Sequence, residues 1–417
     1  MFIGKLKQAV FLIIFSFSSA NIFAQDTVRL NIEAAEKIFL QKNSALLAQK
    51  YNIDAQRALI IQARLYPNPN ISYVRGLNKP DSLKAEQAVQ IQQVILLAGK
   101  RKKQIAMAET NTLLAEDNYL DLLRTLKYTL RSDFFSIYYW QQTSRVYDEE
   151  INALKKILTA FEKEMEKGYI AKTEVMRVKA QLYSLQSEYN DLRNQINDAE
   201  SEVRTVIDSL GIYIVPIIDT VKIANVDPLK YPLSTLLDSA AKNRSDLMTA
   251  RHNLALSNQN YKYQKALAVP DVTLSGSYDT YGSAWPFIKI AGVSMDIPVF
   301  NRNQGNIKSS KFQIKSDEAA LQSVQIQYEE NVYRSLEKAI TQHNLYKSLD
   351  KNFPKEMDIL SKAVLDNYTK RNIGLLDFLN FYDSYKQNIV QLNNILGNLA
   401  NSYENIDFMT GTDFFYK

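Results

Sequence analysis

The sequence predicts a mainly α-helical chain in which one helix–β-hairpin–helix unit occurs twice. Three observations predict it. Gly and Pro are sparse, 12 and 10 of 417 residues, and the apolar residues fall along long amphipathic runs. Where strict alternation occurs, it stops at a turn-rich corner. Ala291, Val293, Met295 and Ile297 alternate with Gly292, Ser294 and Asp296. Pro298-Val299-Phe300-Asn301-Arg302-Asn303-Gln304-Gly305 then opens a period-3.6 run through Ile314, Leu321, Val324, Tyr328, Val332 and Leu336. Pro298 cannot donate to a sheet ladder, and the polar cluster after it supplies turn and capping groups. Finally, the corner recurs. Val89 to Ile95 alternates and breaks at Ala98-Gly99-Lys100-Arg101-Lys102-Lys103 into another helical run, roughly 200 residues upstream. Asn43-Ser44-Ala45-Leu46 answers Arg244-Ser245-Asp246-Leu247, Pro69-Asn70-Ile71-Ser72 answers Pro270-Asp271-Val272-Thr273, and Tyr169 through Glu174 answers Asn372 through Asp377. A tandem duplication is the economical explanation.

The amino terminus reads as a secretory leader: Lys5 and Lys7, an apolar run from Ala9 to Phe17, then small residues up to a cleavage point after Ala24. The run is too short to span a bilayer as a helix. The expected organisation is a leader over 1–24, a first repeat over 25–210, a linker over 211–231 and a second repeat over 232–417. The chain has no cysteine, which excludes disulfides, thiolate metal sites and a lipidated Cys. A formal charge of +5, with Lys and Arg interspersed among Asp and Glu, gives no patch for nucleic acid.

In order, a helix is expected from about Ile32 to Leu65, ended by Pro67 and Pro69, then strands near Asn70 to Leu77 and Ala85 to Leu97 around a loop at Gly76, Asn78, Pro80 and Asp81. A helix over about Lys102 to Glu166 follows, roughly 100 Å long at 1.5 Å per residue. Gly168 and Tyr169 break the pattern, and a second rod runs from about Thr173 to Leu210. Gly211 to Pro232 suits a short strand and a linker. The programme then repeats: a helix from about Ser234 to Ala268, strands over Asp271 to Tyr281 and Phe287 to Val299, and a very long helix with a local irregularity at Pro354. A tip follows at Arg371-Asn372-Ile373-Gly374, and a last helix from about Leu375 to Phe408.

Four strands of about ten residues match the length that crosses a bilayer when tilted, yet four cannot close a barrel. Open edges in lipid leave backbone groups unpaired at a cost of several kcal/mol each. Several chains must therefore share one barrel, and three would supply twelve strands, an even number. Tyr73, Tyr278, Tyr281, Trp285 and Phe287 sit near the hairpin ends, where an interfacial aromatic belt belongs. Ordinary turn-flanking aromatics of a soluble sheet are the other reading.

The leader, the duplicated unit, Pro67-Asn68-Pro69 before the first strand, the corners at Leu96-Leu97-Ala98-Gly99-Lys100-Arg101 and Pro298 to Gly305, and the tip with Gly374-Leu375-Leu376-Asp377-Phe378-Leu379 together resemble the TolC family of outer membrane efflux proteins. The resemblance covers essentially the whole chain after the leader, and the corners are most similar to the heavy-metal (CusC/CzcC-type) branch. It implies a homotrimer with a twelve-stranded β-barrel in outer membrane lipid and a long α-helical barrel in the periplasm. It also implies docking on a periplasmic adaptor and an inner-membrane pump of the RND type, with no cofactor. Many members of the metal branch carry a lipidated Cys, which this chain lacks.

The resemblance places Asp377, with Glu174 as its counterpart, at a closed periplasmic mouth, where a trimer makes each a ring of three carboxylates that favours cations. Asn380 stands where the family has a second aspartate, which weakens the ring. Read from the residues alone, the two acids are solvated groups in the first turn of a helix, where they favour its dipole. Tyr368, Lys370 and Arg371 flank the tip and are candidates to tie neighbouring helix pairs. By analogy, Gly168, Tyr169, Asn372 and Gly374 contact the adaptor, though the two glycines also suit backbone geometry. Gly99, Pro298, Asn301 and Gly305 mark the strand-to-helix corners. Lys100 to Lys103 either line the conduit, meet anionic lipid or form a solvated helix start. His252 and His343 have no acid or second His at ligand spacing in sequence, and no Gly-rich phosphate loop follows a strand. Neither catalysis nor a bound metal is expected.

The function expected is an outer-membrane efflux duct for small solutes, with heavy-metal cations as one class. Drug efflux or type I protein secretion through the same architecture is the nearest alternative. A periplasmic helical-hairpin adaptor is the alternative of a different class.

Overall fold

The computed structural model describes residues 26–77, 85–280 and 285–415. The leader, the loop residues Asn78, Pro80 and Asp81, and Tyr281 to Ala284 lie outside them. The elements are β1 (Asp26–Asn31), α1 (Ile32–Lys42), α2 (Ser44–Arg64), β2 (Asn70–Arg75), β3 (Gln87–Ile95), α3 (Lys100–Glu166), α4 (Lys172–Val206), β4 (Ile212–Ile217) and the short α5 (Thr220–Ala224). Then follow α6 (Leu233–Asn243), α7 (Ser245–Leu267), β5 (Val272–Thr280), β6 (Phe287–Met295), α8 (Gln304–Ser348), α9 (Phe353–Thr369) and α10 (Leu375–Thr410).

Three runs expected as single helices are each two. Asn43 separates α1 from α2: its backbone leaves helical geometry, and its side chain accepts the Leu46 N–H at 2.8 Å, an N-cap for α2. Arg244 makes the matching break between α6 and α7 in extended geometry, without a side-chain cap. The third break separates α8 from α9. The Asp350 carboxylate accepts the Asn352 N–H at 2.9 Å, and Pro354 falls in the first turn of α9, where its missing N–H costs nothing. Pro354 therefore opens a helix instead of distorting one. β1 was not expected, because six residues with two apolar ones carry little pattern. It pairs in parallel with β4, Val28 opposite Ile214 and Leu30 opposite Pro216.

The chain forms two compact units. Of the described residues, one comprises those within 26–42, 129–224 and 349–398; the other comprises those within 43–77, 85–128, 225–280, 285–348 and 399–415. In the first, α3, α4, α9 and α10 pack around Tyr147, Leu154, Val178, Leu182, Leu185 and Phe378, the last fully buried. Arg131 of α3 reaches Glu36 of α1 in a buried ion pair.

The second unit holds an antiparallel sheet in the order β2-β3-β5-β6. Its register gathers most of the large apolar side chains on one side. Ile71 faces Ile91, Tyr73 faces Val89, Val89 faces Tyr278, Leu274 faces Val293 and Val272 faces Met295. Period-two geometry places all of these on one side, where most are exposed in the single chain. On the other side Ser72 faces Gln90, Gln90 faces Ser277, Gln92 faces Ser275 and Thr273 faces Ser294, although Val74 faces Ala88 and Ile290 faces Ser277 there too, and Lys289 falls on the first side opposite Tyr278. Among the described residues, β2 and β6 each pair along one edge only. No described helix is long and apolar enough to cross a membrane.

Candidate functional site: the helix tips and the strand-to-helix corners

Each tip is closed by the same backbone device. After α3, the Gly168 N–H bonds the Met165 carbonyl and the Tyr169 N–H bonds the Glu164 carbonyl, both at 2.9 Å. After α9, the Arg371 N–H bonds the Tyr368 carbonyl at 3.0 Å and the Asn372 N–H bonds the Asn367 carbonyl at 2.9 Å. Both are Schellman closures, which need a left-handed residue just past the helix. Gly168 supplies it with φ 81°, whereas at the second tip Arg371 does so with φ 62°. Gly374 has no left-handed φ, and its carbonyl accepts the Phe378 N–H of the following helix at 3.1 Å.

Asp377 and Asn380 are exposed in the first turns of α10, and Glu174 is exposed in the first turn of α4. At the second tip Tyr368 stacks on Phe378 with ring centroids 4.4 Å apart. Phe378 in turn packs on Tyr382 at 4.5 Å. Burial, with the Glu174 charge second, pushes the Tyr368 phenol up to about 12. Its buried Oη has no hydrogen-bond partner. Lys370 is engaged within its own helix, its Nζ 2.6 Å from Asp366. Tyr169 projects with 75% of its surface exposed, and Asn372 donates from its side chain to Asn367 at 3.1 Å.

Above the tip lies a charged cluster that the sequence did not reveal. Lys386 of α10, 5% exposed, reaches Glu188 of α4 at 2.9 Å and Asp383 at 3.1 Å. Burial pulls its ammonium down, but these two carboxylates outweigh it, and its pKa ends above the ordinary value. Glu150 of α3 is 2% exposed, and its Oε2 has no hydrogen-bond partner. Burial pushes its carboxyl up to about 7, against the pull of Lys386. Helical periodicity places these positions on inward faces, but charged residue types there carry no signal of burial.

At the first corner Ala98 and Gly99 both take left-handed backbone, φ 54° and 65°. The basic run beside them is mostly engaged. Lys100, 6% exposed at its side chain, holds Asp271 at 2.7 Å, and the same carboxylate accepts the Leu97 N–H at 2.8 Å. Arg101 donates to the Arg64 carbonyl at the end of α2 at 2.9 Å and lies 3.8 Å over the Tyr66 ring. Lys103 donates to the Ala98 carbonyl at 2.6 Å. Lys100, Arg101 and Lys103 thereby fasten the corner, whereas Lys102 is engaged by no such contact and is exposed.

At the second corner the left-handed residue is Asn303, φ 59°, and not Gly305, which lies inside α8. The Asn301 carboxamide accepts the Asn303 N–H at 3.0 Å, and the Asn303 side chain donates to the Gln264 carbonyl at 2.8 Å. Pro298 sits three residues past the end of β6, beyond the ladder. His252 does meet an acid, Asp117 of α3 at 2.6 Å, a partner distant in sequence. His343 is buried and bonded to the Tyr403 hydroxyl at 2.8 Å. Among the described residues no group of three His, Cys, Asp or Glu is placed to hold a metal ion.

Residues 37–208 and 236–349 match the sequence profile of the outer membrane efflux protein family. The cobalt-zinc-cadmium resistance protein CzcC of Cupriavidus metallidurans is 21% identical over 282 residues, 67% of this chain and 66% of that protein, just under two thirds of its length. The outer membrane channel CmeC of Campylobacter jejuni superposes with a TM-score of 0.74 at 14% identity, covering 92% of this chain and 86% of its own. CusC, solved in crystal structures that bear on folding and transmembrane channel formation, superposes at 0.73 with 15% identity, covering 95% and 96%.

Proposed function

We infer the function of this chain from the family to which it belongs, the outer membrane efflux proteins: it is the outer-membrane channel component of a tripartite efflux system, a conduit and not an enzyme. The observation that carries this reading is the sheet. It carries most of its large apolar side chains on one side and most of its Ser, Gln and Thr on the other, and among the described residues it is open along β2 and β6, which suits a segment of a barrel wall between lipid and water. In our reading three chains close that wall by pairing β6 of each with β2 of the next, giving twelve strands. The α-helical barrel stands in the periplasm. The chain divides into a leader over 1–24, repeats over 25–210 and 232–417, and a linker over 211–231.

The two tips form the periplasmic mouth and meet the adaptor, which couples the channel to an inner-membrane pump of the RND type. Exposed Tyr169 and Asn372 are the side chains offered there, with Gly168 and Gly374 shaping the backbone. Asp377 and Glu174 become carboxylate rings on trimerisation and favour cations at the mouth. Tyr368 and Arg371 hold the second tip against its neighbours. Heavy-metal cations are the cargo class we favour, because the relative CzcC is named for cobalt, zinc and cadmium resistance.

The test is insertion of the purified protein into planar lipid bilayers, with sizing in mild detergent alongside. A trimer that conducts once its tips are loosened, with cations favoured over anions, is the expected result. A water-soluble monomer, or no conductance from any gate-loosened variant, overturns the reading.

A further inference from the structure

Beside the tip core, the α3/α4 and α9/α10 helix pairs enclose a cleft of about 1210 Å³. Its walls are aromatic and aliphatic, among them Phe161, Tyr368, Tyr382 and Tyr385 with Ile157 and Leu365. Its charge is lopsided. Five carboxylates line it against three basic side chains, and one of the three, Lys362, is already held by Asp358 at 2.8 Å. Two polar groups in the lining are buried without partners: the Glu150 Oε2 and the Tyr368 Oη.

An acidic cluster alone would carry little. Here, however, a carboxylate with 2% of its surface exposed borders the cleft unsatisfied. A buried, unpaired carboxyl oxygen is costly, and its retention asks for a counterpart. The basic group whose charge acts on Glu150 cannot supply it, because Lys386 is engaged by Glu188 and Asp383. A metal ion is a poor fit, since no group of three ligands converges among the described residues. Aromatic faces around an anionic floor are instead the surroundings that stabilise a large, weakly hydrated organic cation.

We propose that the cleft between the α3/α4 and α9/α10 pairs is a binding site for an amphipathic organic cation, with Glu150 as counter-charge, the Tyr368 and Tyr385 rings as walls and Glu149 at the rim. The proposal goes beyond the conduit reading and does not depend on it, because the site belongs to one protomer. The cation's charge adds to the pull of Lys386 on Glu150, and its apolar body displaces water from Ile157 and Leu365. Glu150 binds it in the ionised form. The charged groups facing that carboxyl are Lys386 and Asp383 from α10 and Glu188 from α4. Binding near neutral pH therefore releases a proton, and affinity falls as the solution is acidified below about pH 7.

The test is equilibrium dialysis of the full-length protein in detergent against tetraphenylphosphonium, with tetraphenylborate, an anion of matching size and apolarity, as control. The wild type is expected to bind about one cation per chain saturably at about pH 8, and Glu150→Gln to weaken this about tenfold, equivalent to ~1.4 kcal/mol. Lowering the pH to about 6 should bring the wild type toward the variant and leave the variant's affinity unchanged. Tyr368→Leu, which keeps the carboxylate and removes one wall, should weaken binding several-fold. Equal affinity of wild type and Glu150→Gln, equal saturable uptake of tetraphenylborate, or absence of saturable cation binding each overturns the proposal.

Discussion

Replacing Lys386 by Met tests how the tip is held. Met keeps most of the aliphatic stem packed and removes the charge. The wild-type ammonium makes two charge-assisted hydrogen bonds, to Glu188 on α4 at 2.9 Å and to Asp383 on its own helix at 3.1 Å. Removing one member of a buried ion pair costs ~3–5 kcal/mol when the other charge stays buried. Here the stranded carboxylates are 41% and 40% exposed and recover water, so the loss should lie at the low end, about 3 kcal/mol. Glu150 also loses an opposing cation, so its carboxyl moves further up. The cost falls on the contact of α10 with α4, and hydrogen exchange read by mass spectrometry reports it locally. Amides over 375–390 should exchange on the order of a hundredfold faster in Lys386→Met, whereas β5 and β6 should be unchanged. Glu188→Gln leaves the Asp383 bond intact and should cost about 1 kcal/mol. Exchange in the tip within a few-fold of wild type for Lys386→Met would refute the assignment of Lys386 as the tie between those helices.

Three further outcomes are expected. Glu150 contributes no cost below its ordinary value of 4.5 and its full cost above about 7; stability against limited proteolysis should therefore fall by about 3 kcal/mol as pH rises through that window, and Glu150→Gln should abolish the slope. Arg371→Gly relieves a left-handed non-glycine residue and should stabilise the second tip by about 1 kcal/mol in the same assay, while Gly168→Ala should destabilise the first by a similar amount. Asp377→Ala should leave the closed channel leakier and less cation-selective in planar bilayers, and unchanged selectivity would retire the carboxylate ring; Glu174→Ala is expected to follow it in direction.

The sequence was most legible where chemistry and periodicity agree. The alternation of Val89 to Ile95 and Ala291 to Met295 marked strands whose register then gathered most of the large apolar side chains on one side, and the corners after them fell where turn residues cluster. What stayed hidden was of two kinds. Breaks at Asn43, Arg244 and Asp350 to Asn352 interrupt helices without disturbing the apolar period, so a pattern that measures facing cannot detect them. Partnerships were also hidden: Lys100 with Asp271, Lys386 with Glu188 and His252 with Asp117 join positions far apart in sequence. Lys100 to Lys103 illustrates the difference, since a charge run looks solvated until the carbonyls and carboxylate that occupy it are known. At the second tip the left-handed position falls on Arg371, which no sequence pattern marks, because a non-glycine residue in left-handed backbone is uncommon.

The unpaired margins of β2 and β6 bear on inheritance as much as on assembly. If three subunits complete one another's wall, a copy whose β6 is broken, for example by proline in place of Ala291, spoils every ring it joins. With healthy and damaged copies made in equal amounts and mixed at random, only about one ring in eight is sound. Such a variant should therefore be dominant over the normal gene, whereas an allele that yields no protein should be recessive.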